Sequence, residues 1–137
     1  MIKTQGIYHL GIPVNDVERA VKFYTEVLGM KVAKLNRDDM GDHLNRADLR
    51  SGEDMVVLFQ RPKSLEKDAI AEDGATHHAF VVDREDFETA VKKMKDWGVK
   101  VHKVPMVDRP TGSGFYFFDP DGNLLQLYAP PRKPPAR

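Results

Sequence analysis

Cysteine is absent from this sequence. No disulfide can staple the fold and no thiolate can serve as nucleophile or metal ligand, so the chain must hold itself together by burying apolar surface. Its 137 residues suffice for one domain with a full core, or for two small similar halves that share one. Long apolar runs are missing too: nothing approaches the roughly 20 residues of a membrane span. The opening "MIKTQGIYHL" lacks a basic segment followed by a continuous apolar one, so a cytoplasmic protein with no membrane partner is expected. Net charge is the third absence. Twenty-one basic and 21 acidic residues cancel, leaving no general field for nucleic acid or an anionic surface. The one basic concentration is "PPRKPPAR", whose prolines and cations bury little. Residues 130–137 are therefore expected to form a flexible tail after a single domain at 1–129.

An internal repeat organises the rest. "DVERAVK" (Asp16 to Lys22) matches "DFETAVK" (Asp86 to Lys92) at an offset of 70, and "GMKV" (Gly29 to Val32) matches "GVKV" (Gly98 to Val101) at 69. The lost residue suggests a second helix shorter by one. Val17, Ala20, Val21, Tyr24 and Leu28 form one helical stripe; Phe87, Ala90, Val91 and Met94 form the other. Each copy opens with acidic residues suited to a helix N-terminus and stops at a glycine suited to its C-cap. A strand precedes each helix, "YHLGIPV" and "THHAFVV". Three more follow: "KVAKLN", the highly charged "DHLNRADLR" and "DMVVLFQ", then "KVHKVP", "GFYFF" and "NLLQLY". The expected class is α+β, with two βαβββ modules at 5–60 and 75–129 joined by "RPKSLEKDAIAEDGA". A helix covering one face of each four-stranded mixed sheet leaves the other face free, and two free faces can enclose a cleft.

Strand parity nominates the residues of that cleft. With Leu10, Ile12 and Val14 against the helix, His9 points the other way, and by the repeat so does His77. A small residue, Gly11 or Ala79, lies beside each and leaves space for a ligand or a metal. A lone strand histidine is ordinarily structural or exposed; equivalence across two repeats favours a paired imidazole site. His78 falls on the helix side. In "DPDGNLLQLYAPP" (Asp119 to Pro131) a turn leads into an apolar strand interrupted by Gln126. A buried amide left unpaired costs about 1–3 kcal/mol, so Gln126 must be solvated, paired or coordinating. Aligning Gly52 with Gly122 sets Val57, which cannot bind metal, at the position equivalent to Gln126. His9, His77 and Gln126 then make a two-histidine, one-oxygen set that leaves a divalent ion open to substrate. Tyr116 has a parity compatible with a phenol in the same cleft, with core packing as the alternative. His43 and His102 are acid or base candidates, with solvent exposure as the other account.

These residues resemble the vicinal oxygen chelate superfamily, which includes glyoxalases, bleomycin-resistance proteins, fosfomycin-resistance enzymes and extradiol dioxygenases. The resemblance runs from about Ile7 to Tyr128 and is strongest in "HLGIPVNDVERAVKFYTEVLGMKV" and "FYFFDPDGNLLQLY". It implies metal ligands at His9 and His77, and at Gln126 where the superfamily usually has glutamate. It implies a small-molecule substrate with adjacent oxygens, and a homodimer. Three ligands with an apolar residue at Val57 are similar to extradiol dioxygenases and to fosfomycin-resistance enzymes; in the former, Tyr116 and either His43 or His102 would assist proton movement around iron(II). The leading expectation is therefore a ring-cleaving dioxygenase, an oxidoreductase, with Mn2+, Ni2+ or Zn2+ as alternatives to Fe2+. The other expectations are an isomerase or thiol transferase of the glyoxalase or fosfomycin-resistance type, and a metal-free binding protein of the bleomycin-resistance type. "THHAFVVDREDF" and "GFYFFDPDGN" are similar to fosfomycin-resistance enzymes, although "APPRKPPAR" offers no clear equivalent of the basic residue that holds the phosphonate there.

Overall fold

The computed structural model describes residues 1–38, 41, 43–61 and 76–131. Most of the joining loop and residues 132–137 of the expected tail lie outside the described residues. The chain divides into two compact units, Met1–Glu66 and Lys67–Arg137, each with one helix and one four-stranded sheet.

In the first unit the order is β1 (Leu10–Val14), α1 (Val17–Glu26), β2 (Lys31–Arg37), β3 (Leu44–Ser51) and β4 (Asp54–Gln60). The strands lie side by side as β1-β4-β3-β2. β1 runs parallel to β4, with Gly11 beside Val57, while β3 is antiparallel to both its neighbours. Ile12, Val14, Ala47, Leu49, Val56 and Leu58 are buried on the face that receives Val17, Ala20, Phe23 and Tyr24 of α1. Asp16 starts that helix by accepting the Arg19 N–H at 3.0 Å, which satisfies one of the first-turn donors. Phe23 joins the expected stripe as a buried residue, and Leu28 lies beyond the helix, which stops at Glu26.

The second unit repeats this plan with β5 (His78–Val81), α2 (Arg84–Asp96), β6 (Val101–Arg109), β7 (Gly112–Phe118) and β8 (Leu124–Ala129), ordered β5-β8-β7-β6. Phe87, Ala90 and Met94 are the buried residues of α2, and the Phe87 ring meets Phe115 at 5.8 Å. Both mixed sheets thus follow the expected tandem βαβββ pattern.

The expected shortening of the second helix is corrected. α1 has 10 residues and α2 has 13, because α2 starts after Asp83, three positions before the repeat match at Asp86. The one-residue loss falls in the C-terminal cap. Met30 N–H reaches back six residues to the Tyr24 carbonyl at 3.0 Å, whereas Val99 N–H reaches back five, to Met94, at 2.8 Å. Gly29 and Gly98 take the left-handed conformation (φ 66° and 78°) that lets the chain turn there.

Candidate functional site

The face of the second sheet turned away from α2 carries a set of polar side chains in one register. β8 is the pivot. Gln126 pairs with Ala79 on one side and Tyr116 on the other, and Tyr116 in turn pairs with His102. Directly paired residues share a face, and residues two apart share it as well. Gln126, Tyr116, His102, Ala79 and His77 therefore all project to the helix-free side. The His77 and Tyr116 rings meet edge to face, with centroids 5.3 Å apart. His102 packs against Phe118 at 5.2 Å, and Lys100 Nζ lies 5.2 Å from the same ring.

Two glycines make this face possible. A Cβ on Gly114 would lie 2.8 Å from Gln126 Nε2, and one on Gly112 would lie 2.8 Å from the Tyr128 hydroxyl and meet the Ala129 carbonyl oxygen. The amide and the phenol lie across bare backbone. Gln126 is 8 % exposed, yet among the described residues no side-chain hydrogen bond engages its carboxamide. The strand is held in place by the turn before it: the Asp119 carboxylate accepts from the Asp121 and Asn123 N–H groups at 2.9 and 2.8 Å and from Asn123 Nδ2 at 2.8 Å.

His78 alternates onto the helix side, as parity predicts. Burial, and then the charge of His77, holds its imidazole below the usual 6.5.

On the first sheet the equivalent register is Gly11, Val57, Asp48 and Lys34. Val57 thus occupies the position that Gln126 holds in the second, and His9 precedes β1 as His77 precedes β5. His9 is exposed. His43 is not brought to either array. It lies just ahead of β3, where its carbonyl accepts from the Asp38 N–H, and it lines a cavity of about 550 Å³ with Asn15, Asp16, Glu18, Asp38 and Gln60. Between the two acid or base candidates, the structure sets His102 beside Tyr116 and leaves His43 elsewhere.

Among the described residues, no three His, Cys, Asp or Glu side chains converge on one point. The donors for an ion on the second sheet are an imidazole and an amide carbonyl. This pair suits a borderline divalent cation, and an amide with no protein hydrogen bond retains its lone pairs for one.

The sequence profile of the glyoxalase/bleomycin resistance protein/dioxygenase superfamily matches residues 6–127, and the chain belongs to that family. It is 32 % identical over 124 residues to the glutathione transferase FosA of Serratia marcescens, covering 90 % of this chain and 80 % of that one. A catechol-2,3-dioxygenase of Bacillus subtilis is 25 % identical over 88 % of this chain, but the match spans 41 % of that enzyme. The fold is shared with the fosfomycin resistance protein FosX of Listeria monocytogenes complexed with Mn(II) and sulfate, at a TM-score of 0.70, 17 % identity and coverage of 95 % and 94 %. The fosfomycin-resistance alternative thus fits better than the dioxygenase expectation.

Proposed function

We propose that this protein is a divalent-metal-dependent transferase of the fosfomycin-resistance kind, joining a small thiol to an oxygen-bearing electrophile such as an epoxide. The observation that carries the reading is the single-face register of His77, Gln126, Tyr116 and His102. The identity to a glutathione transferase over nine-tenths of the chain supports it. His77 and Gln126 are the residues of this face that would hold the metal; His9, at the corresponding position of the first unit, is the third ligand that the superfamily resemblance implies. When bound, the ion supplies Lewis acidity at the electrophile's oxygen.

The thiolate sulfur forms a bond to an epoxide carbon while that carbon's bond to oxygen breaks and its electron pair stays on oxygen. Tyr116 gives that oxygen a proton from its phenol, and His102, its neighbour across the β6–β7 ladder, passes on the proton released by the thiol. The atoms balance: one thiol and one epoxide become one hydroxy thioether. Burial of Tyr116 to 8 % exposure keeps water from competing for the phenol.

The test is anaerobic reconstitution with Mn2+, Fe2+, Ni2+ or Zn2+, metal analysis, and incubation with fosfomycin and glutathione followed by phosphorus NMR and mass spectrometry. A stoichiometric ion and a one-to-one adduct formed without oxygen uptake are expected. No retained metal and no adduct sink the reading. Ligand binding unaffected by chelator would instead favour the metal-free binding protein, the reading to which the neutral amide of Gln126 lends support. Tyr116→Phe is expected to lower turnover by about 10²-fold or more with metal content unchanged; an unaltered rate removes Tyr116 from the chemistry.

A further inference from the structure

His102 is the last residue of β6 before its ladder with β7 breaks. Val101 pairs with Phe117 and His102 with Tyr116, but the next pair is Met106 with Gly114, so β6 advances four positions while β7 advances two. The bulge begins at once. Lys103 takes the left-handed conformation (φ 61°), which is uncommon for a residue with a side chain. β6 is also the outer strand of its sheet, so no strand beyond it confines the imidazole. The backbone therefore sets where the His102 side chain starts and leaves open where its ring points.

A ring contact sets the direction. Phe118 is two residues from Tyr116 on β7 and so shares the helix-free face. It is diagonal to His102, a spacing that aromatic side chains still bridge. The two rings meet with centroids 5.2 Å apart and planes inclined at 61°, an edge-to-face arrangement. Phe118 is held in its turn. Its N–H donates to the Lys100 carbonyl oxygen at 3.0 Å, and the Lys100 ammonium lies 5.2 Å from the ring centre, close enough for attraction to the π-face. The core of this unit is filled from the opposite face by Phe115 and Phe117, whose rings meet at 5.8 Å. Phe118 is only half-buried, so filling the core does not account for its ring.

The geometry points to Phe118, held by Lys100, as the positioning residue that orients the His102 imidazole beside Tyr116. This rests on the transferase reading, in which His102 takes up the thiol's proton, and deepens it by naming what directs that base. The ring touches no reacting atom and adds no step. It narrows the range of directions from which the imidazole meets the proton, and a misdirected base loses rate without losing substrate.

The test combines kinetics and NMR on the full chain. In the assay with fosfomycin and glutathione, Phe118→Leu should lower kcat by about three- to tenfold, the worth of one aromatic pair, with KM and metal content unchanged. Phe118→Tyr should restore the rate. Lys100→Arg should keep it, and Lys100→Met should lower it by about twofold. In a His102→Gln background, Phe118→Leu should have no further effect on kcat, whereas a ring that merely supports the sheet would lower it again. The second readout needs no activity. In the chelated protein the ring current of Phe118 displaces the His102 Hδ2 and Hε1 resonances; Phe118→Leu should move them and leave those of His43 in place, and dispersed spectra show that each variant is folded. Unmoved His102 resonances, a parental kcat in Phe118→Leu, or additive losses in the double variant would overturn the proposal. If no transfer occurs, or His102→Gln turns over like the parent, while the resonances still move, the orienting contact stands and the transferase reading falls.

Discussion

Gly114→Ala separates the two roles that a glycine can have in a strand, sparing the backbone or sparing a side chain. The backbone at Gly114 is not left-handed, so alanine meets no conformational penalty there. Its methyl group would arrive 2.8 Å from Gln126 Nε2, 3.5 Å from Gln126 Cδ and 3.3 Å from the Leu127 carbonyl oxygen. The nearest atom is the far end of a flexible side chain with no protein hydrogen bond to lose, so the amide swings aside and the sheet opens by only a few tenths of an ångström. Overpacking of this kind costs about 1–3 kcal/mol, and the stiffer unfolded chain offsets about 0.4–1 kcal/mol of it. A net loss of roughly 0–2.6 kcal/mol lowers the melting temperature by up to about 8 °C, at about 3 °C per kcal/mol in a domain of this size. Metal affinity should suffer more, because displacing the support of a ligand typically costs about 10- to 100-fold. Calorimetric melting and competitive metal titration of the purified variant measure both. A Gly114→Ala protein that binds metal like the parent would refute the assignment of Gln126 as a ligand. A melting temperature lowered by much more than about 8 °C would show that the backbone, not the amide, absorbs the strain.

Gln126→Glu keeps the shape of the side chain and adds one negative charge, so metal occupancy after dialysis should rise by at least about tenfold; unchanged occupancy places residue 126 outside the coordination shell. Asp119→Ala removes three hydrogen bonds from a carboxylate that is 4 % exposed. It should destabilise the protein by about 3 kcal/mol, and a urea midpoint within error of the parent would contradict that. In the chelated protein, His78 titrates below 6.5 because of burial and, second, the charge of His77. Above pH 6.5 both folded and unfolded states hold it neutral. As pH falls through 6.5 the unfolded chain takes the proton first, so stability drops until the folded value is passed. His78→Gln should flatten the fall in melting temperature between pH 7.5 and 5.5, and parallel profiles for the two proteins would disprove the assignment.

The architecture was legible because the repeat carried it: two acidic helix starts, two glycine stops and two alternating strands recur at nearly constant spacing, and each alternation set the correct face for Ile12, Val14 and Phe80. What was not legible depended on boundaries and register. "DREDF" offers three acids as possible caps, and the helix takes the earliest, Asp83. β6 runs on through Pro105 to Arg109, although a proline ordinarily ends a strand. The strand is at the sheet edge, where one N–H can be spared. The contact between Gly114 and Gln126 is a diagonal across two strands and has no linear signature. The contact of Arg46 with the Asp48 carboxylate and the Phe59 ring was not legible either, because a strand as charged as "NRADLRS" reads as solvated surface until its pairing with β4 places alternate residues on one face.

Register also shows how the two copies have diverged. Position by position, His9 corresponds to His77, Gly11 to Ala79, Val57 to Gln126, Asp48 to Tyr116 and Lys34 to His102. The imidazole and the small residue beside it are kept in both. The other three corners have separated by chemistry: an amide, a phenol and an imidazole in the second unit, groups that can donate, accept or coordinate, and an apolar side chain, a carboxylate and an ammonium in the first. The groups able to handle protons are thus gathered in the second unit, and fixed charge in the first. On this account Gln126→Glu should raise metal occupancy, whereas Asp48→Asn, which only breaks the ion pair with Arg46, should leave it unchanged, and metal analysis of the two dialysed variants measures both.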